Sequence, residues 1–120
     1  MSETELIPAW DDDGAVRPLD AESVHRRGLR HMAVSVLLVS GGRTLMCRRA
    51  DGLDRAPGLW APACWTHPQW SEHYAVAAAR GLRAALALTG LNLRKHRMVE
   101  YRAGEAGAAE HEVVQPFTAA

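Results

Sequence analysis

The chain is 120 residues long, room for one domain with a single modest core. Its fourteen basic and fourteen acidic side chains cancel, so no overall field favours nucleic acid or an anionic membrane surface as a partner. The longest apolar run, Met32 to Val39, is far shorter than the roughly 20 residues a membrane span needs.

Residues 1–30 are polar with few apolar anchors and read as an arm, with one short strand around Leu6 to Trp10. Glu3, Glu5 and Asp11-Asp12-Asp13 make this segment acidic where a secretory leader is basic and then apolar. Met32 to Val39 is β-rich, Ser40-Gly41-Gly42-Arg43 supplies a turn, and Thr44 to Arg49 reads as the returning strand of a hairpin. Asp51 to Pro57 is loop by composition, and a tryptophan-rich strand region follows from Gly58 to Gln69. Glu72 to Leu88 lacks proline, and Val76, Ala79, Leu82 and Leu86 recur at helical spacing. Thr89-Gly90 is the expected stop for that helix. Leu93 to Ala103 reads as a strand, Gly104 to Ala109 as a loop, and Glu110 to Thr118 as a last strand.

Strands, one helix and strands again predict a mixed α/β or α+β layer fold. A final strand with nothing after it leaves one sheet edge uncovered. The preferred reading is a fragment, the alternative a chain that associates through that edge. Cys47 and Cys64 make no disulfide framework, and a reduced, cytoplasmic setting is expected.

Three histidines stand out as candidates for chemistry. His25 and His31 lie six residues apart, and His67 sits in the tryptophan-rich strand. Glu110 and Glu112 flank His111, and on a strand the two carboxylates share one face while His111 points away. Such a set could chelate a divalent ion, Zn²⁺ or Mn²⁺ by donor type. Taken alone, the same residues also fit a solvated strand face and ordinary surface histidines.

Five segments in order carry more information. They are His25-Arg26-Arg27-Gly28-Leu29-Arg30-His31-Met32-Ala33, Gly58-Leu59-Trp60, Thr66-His67-Pro68, Val99-Glu100-Tyr101-Arg102-Ala103 and Glu110-His111-Glu112-Val113-Val114. Together they resemble the type I isopentenyl-diphosphate isomerases, a branch of the Nudix fold, in the proteobacterial version. The resemblance runs from about Leu6 to the last residue. It implies a Nudix-like mixed sheet with a single Nudix helix over residues 31–120, lacking the family's C-terminal strand and helix, behind the arm of residues 1–30. It implies conversion of isopentenyl diphosphate to dimethylallyl diphosphate for isoprenoid precursor synthesis, with an isoprenoid diphosphate as substrate.

The resemblance also assigns residues. The metal ligands would be His25, His31, His67, Glu110 and Glu112, with Glu112 and Tyr101 handling one proton. The family's second proton-transfer group is a cysteine two residues before the strand histidine, and that position is Trp65. An indole neither donates nor accepts a proton at neutral pH. Cys64 is next door, but successive strand residues face opposite ways, so it is expected to be a small buried hydrophobe. A helix glutamate holds substrate-bound Mg²⁺ in the family, and Ala85 stands there, with no oxygen for a hard cation. Arg49 remains from the diphosphate grip, whereas Leu53, Gly81 and Ala21 occupy positions where cations are expected. Arg48, Arg55 or Arg80 are the available substitutes. The expectation is a family member with impaired turnover. The alternatives are a non-catalytic metal or isoprenoid binder, a partner subunit, or, least favoured, a Nudix hydrolase.

Overall fold

A computed structural model describes residues 5–48, 51, 58, 60–103 and 110–120; the side chains of residues 103 and 110 fall outside that description. The elements are β1 (Leu6–Trp10), β2 (Val16–Asp20), α1 (Ala21–Arg27), β3 (Arg30–Ser40), β4 (Arg43–Thr44), β5 (Met46–Arg48), β6 (Trp60–Pro62), β7 (Cys64–Thr66), α2 (Tyr74–Leu86), β8 (Arg94–Lys95), β9 (Val99–Ala103) and β10 (Glu110–Ala119). The mixed α+β layer fold expected from the sequence is the fold observed.

The backbone of the sheet is a parallel pair, β3 and β10, in register from Arg30↔His111 to Leu38↔Ala119. Along its other edge β3 takes β1, β7 and β4 in succession, all antiparallel. The outer edge of β10 takes β9 and then β8. The hairpin expected after Met32 closes through β3 and β4, but only over Val39↔Thr44 and Ser40↔Arg43. The chain then departs, and β5 pairs with β6 in a separate two-stranded sheet.

Side-chain alternation gives the sheet two unlike faces. Val34 and Val36 of β3 and Phe117 and Ala119 of β10 form the main core with Cys64, under Ala77, Ala78 and Leu82 of α2. The neighbouring residues His31, Ser35 and Glu112 are turned to the opposite face, yet are also buried.

Among the described residues two helices are present where one was expected. The unforeseen one, α1, lies in the segment read as an arm and is defined by its ends. Asp20 caps it by accepting from the Ser23 N–H at 2.9 Å, and Gly28 closes it at φ 65. Ala21 and Val24 pack against Ile7 and Ala9 of β1 as a second small core. Seven residues carry too little periodicity to be read as a helix without those tertiary contacts.

The helix α2 falls within its expected span, but its buried stripe is Ala77, Ala78, Gly81 and Leu82, while Val76 is 53% exposed. Close approach to β7 explains this. A Cβ on Gly81 would lie 2.4 Å from Cys64 Sγ, so small residues face the sheet. The helix also ends before the expected Thr89-Gly90 signal, through Ala87 in the left-handed region at φ 56. Among the described residues, no helix is long and apolar enough to cross a membrane.

Candidate metal centre

His25 lies in the last turn of α1, and Gly28 reverses the chain directly into β3, which carries His31 at its second residue. That tight reversal brings two side chains six residues apart within 5.0 Å, ring centroid to centroid. His67, one residue beyond β7, completes a triangle, 5.1 Å from His25 and 5.0 Å from His31. One ligand nitrogen from each lies within 4.8 Å of the others. His31 and His67 are 1% and 5% exposed.

The backbone sets the orientation of two rings. His31 Nδ1 lies 2.9 Å from the Leu29 carbonyl, and His67 Nδ1 lies 3.2 Å from the Met32 carbonyl. A carbonyl can only accept, so each Nδ1 carries a hydrogen and each Nε2 is turned away from it. Outer contacts of this kind fix the ring tautomer in protein metal sites. Burial first, then the charges of His31 and His25, depress the His67 pKa to about 3 against opposition from Glu112. Convergent imidazoles are the donor set that a Zn²⁺-type ion takes. The residues present therefore fit a divalent cation.

Glu112 stands beside the triangle, 1% exposed. Its Oε2 lies 3.2 Å from His31 Nε2 and accepts the Trp65 indole N–H at 3.4 Å. The Tyr101 hydroxyl donates to its Oε1. Burial pushes the Glu112 pKa up, but the His31 and Tyr101 hydrogen bonds outweigh it and hold the carboxyl down at about 2. Trp65 and Tyr101 meet edge to face at 5.9 Å. Strand pairing accounts for the convergence: Trp65 lies opposite Ser35 on β3, and Tyr101 opposite Glu112 on β10.

Of the sequence-derived site residues, the structure brings together His25, His31, His67, Glu112, Tyr101 and Trp65. Glu110 pairs with Ala103 in the β9–β10 ladder, two residues before Glu112, and its side chain lies outside the described residues. Arg49 and Leu53 lie outside them as well, as do most of the loop expected at 51–57 and all of that at 104–109. Cys64 faces the α2 core, as alternation predicts, and burial raises its thiol to about 11 despite Arg80 nearby.

The other face carries the helix. Ala84 and Ala85 of α2 line a cleft of about 360 Å³ with Arg48, Arg80, Cys47 and Cys64, and no carboxylate lines it among the described residues. Mg²⁺ prefers oxygen donors in an octahedral set, so the residues present do not fit that ion. Gly81 and Ala21, where cations were expected, are both buried in packing contacts. Arg80 lines the same cleft and is also engaged elsewhere. It donates to both Glu72 oxygens and, at 2.8 Å, to the His67 carbonyl. It thus ties α2 to the residue that carries a ring of the triangle, a role the sequence reading missed. A single arginine eight residues after a glutamate, at a half-buried helix position, was the available signal.

No family model matches the chain. Its sequence is 48% identical over 117 residues to an isopentenyl-diphosphate Delta-isomerase of Cereibacter sphaeroides, covering 97% of this chain and 66% of that protein. It is 49% identical over 116 residues to the protein of the same name in Dinoroseobacter shibae, covering 96% and 65%. The chain thus spans just under two thirds of the length of these relatives. Among solved structures it superposes on DR0079 of Deinococcus radiodurans with a TM-score of 0.71 at 16% identity, over 96% of this chain and 71% of that one. The MutT protein of Methanosarcina mazei gives 0.60 at 14% identity, over 76% and 63%. At such identities these two matches describe the fold alone, and they agree with the mixed-sheet architecture described above.

Proposed function

We propose, from the premise that this chain is a homologue of the isopentenyl-diphosphate Delta-isomerases over nearly all of its own length, that it keeps their metal-binding half and has lost most of their turnover. His25, His31 and His67 would hold a Zn²⁺ or Mn²⁺ ion, with Glu110 and Glu112 as the matching carboxylates. When bound, such an ion supplies electrostatic stabilisation to charge that develops beside it.

One observation carries the impairment. An allylic double-bond shift adds one proton and removes another, which needs two titratable groups on opposite sides of the carbon skeleton. Glu112 with Tyr101 can serve one side. At the position of the second group stands Trp65, whose only polar hydrogen is directed at Glu112 itself. An indole N–H supplies no proton at neutral pH. The cleft beside Ala85 adds to this reading, since an isoprenoid diphosphate there would meet no carboxylate-held Mg²⁺ among the described residues. Arg49 remains the proposed diphosphate contact.

The test compares wild type with Trp65→Cys/Ala85→Glu in an isopentenyl diphosphate assay supplied with Zn²⁺ and Mg²⁺. The expected result is no measurable wild-type product and restored product in the double variant. Wild-type turnover of about 1 per second or more would sink the reading. Silence in both would favour a non-catalytic role.

The second reading, a non-catalytic partner subunit, draws on the sheet order, which ends in the exposed strands β2 and β8. An open edge offers unpaired backbone groups to a second chain. Sedimentation as a folded monomer at all concentrations would count against it.

A further inference from the structure

We propose that Trp65 is a positioning residue for the metal centre: its indole N–H fixes the Glu112 carboxylate against His31, so that this chain has a more rigid cation site where a proton-transfer group would otherwise stand. The proposal rests on the reading of the histidine triangle as a metal site and deepens it.

The geometry is specific to this constellation. His31 Nε2 and Glu112 Oε2 stand 3.2 Å apart, with His31 Nδ1 turned to the Leu29 carbonyl. That approach requires something positive between them, either a second proton on the ring or a cation. Two ligand atoms each about 2.0–2.2 Å from one Zn²⁺ ion stand roughly that far apart. Glu112 is itself held in place from two other elements. Two side chains hold it. Tyr101 donates to Oε1, and Trp65 donates to Oε2, the oxygen nearest the ring. Both oxygens are thus oriented from behind, and Oε2 retains a lone pair toward the histidines.

The indole is itself braced. It meets the Tyr101 ring edge to face, and its backbone lies in the β3–β7 ladder opposite Ser35. A shorter side chain such as cysteine at position 65 would leave Oε2 without this donor. Donors in the outer shell of a metal site typically change affinity by 10- to 100-fold.

The experiment uses the full chain and two independent readouts. The first is the Trp65 indole resonance, followed by hydrogen exchange in the metal-free protein. It is expected to exchange far more slowly than that of Trp60, which is 65% exposed, and to move on Glu112→Gln. The second is Zn²⁺ affinity by chelator competition, with Co²⁺ absorption as the spectroscopic signature. Trp65→Phe, which keeps the ring and removes the N–H, is expected to weaken Zn²⁺ binding about tenfold and to shift the Co²⁺ bands.

Fast exchange of the Trp65 indole, or Zn²⁺ binding by Trp65→Phe as tight as wild type, would overturn the proposal. A wild type that takes up no Zn²⁺ while its indole stays protected would instead break the metal reading and leave the hydrogen bond to Glu112 standing.

Discussion

The two faces of the β3–β10 sheet differ in what they offer a ligand. On the histidine face, ligand groups from α1, β3, the end of β7 and β10 converge, and backbone carbonyls or half-buried hydroxyl and indole groups orient His31, His67 and Glu112. On the α2 face, the cleft is lined by alanines, two thiols, Arg48 and Arg80, without a carboxylate among the described residues, and Arg80 also bonds Glu72 and the His67 carbonyl. The first face depends on many segments being in place at once. On the second, the α2 wall presents the methyl groups of Ala84 and Ala85.

The largest expected effect breaks the first face. His67→Ala removes one corner of the triangle and should weaken Zn²⁺ binding at least about 100-fold, abolishing the rise in melting temperature that bound metal gives. The same residue predicts a pH response of the metal-free protein. Folding depresses the His67 pKa from 6.5 to about 3, so below pH 6.5 the unfolded chain takes up a proton that the folded chain refuses. Stability from this group is thus complete above pH 6.5 and lost as pH falls toward 3. Glu112 acts in the same direction in a lower window, from 4.5 down to about 2. Urea midpoints at pH 7, 5 and 4 should fall steeply for wild type and less steeply between pH 7 and 5 for His67→Gln.

A smaller effect tests the second face as packing surface. Gly81→Ala places a methyl 2.4 Å from Cys64 Sγ and 3.1 Å from Thr66 Cγ2. Overpacking of that kind costs about 1–3 kcal/mol, against a helix-propensity gain of at most about 1 kcal/mol. The net expectation is a loss of about 1–2 kcal/mol in chemical denaturation. Adding Cys64→Ala should recover most of it. A neutral or stabilising Gly81→Ala would mean that α2 sits farther from β7 than described.

How much of this was legible in the sequence follows the range of each signal. Strand alternation placed Cys64 and Trp65 on opposite faces, and both are found there. The order of short motifs brought out His25, His31, His67 and Glu112 before any geometry was known. What was missed depends on contacts across the chain. α1 is too short to announce itself and is held by Ile7 and Ala9. The buried stripe of α2 is small because Cys64 lies beneath it, a fact absent from the helix's own periodicity. The meeting of Trp65 with Glu112, 47 residues away, is set by two separate strand registers. The tie from Arg80 to a carbonyl 13 residues back is likewise invisible to residue type.

The smallest expected effect separates the two faces most cleanly. α2 ends through Ala87 at φ 56 and ψ 29, with the Ala87 N–H bonded back to the Arg83 carbonyl and the Leu88 N–H to the Leu82 carbonyl. The closing bonds are those of an ordinary glycine-type helix end, but the residue carries a Cβ that this conformation disfavours by about 1 kcal/mol. Ala87→Gly relieves that strain while adding freedom to the unfolded chain, which returns part of the gain. The expected net is a stabilisation of about 0.5 kcal/mol in urea unfolding. Since Ala87 belongs to the helix end and touches none of the three histidines, Zn²⁺ affinity should stay as it is in wild type. A change in affinity here would mean that the helix end and the histidine triangle move together, and the contrast between the faces would have to be redrawn as one coupled unit.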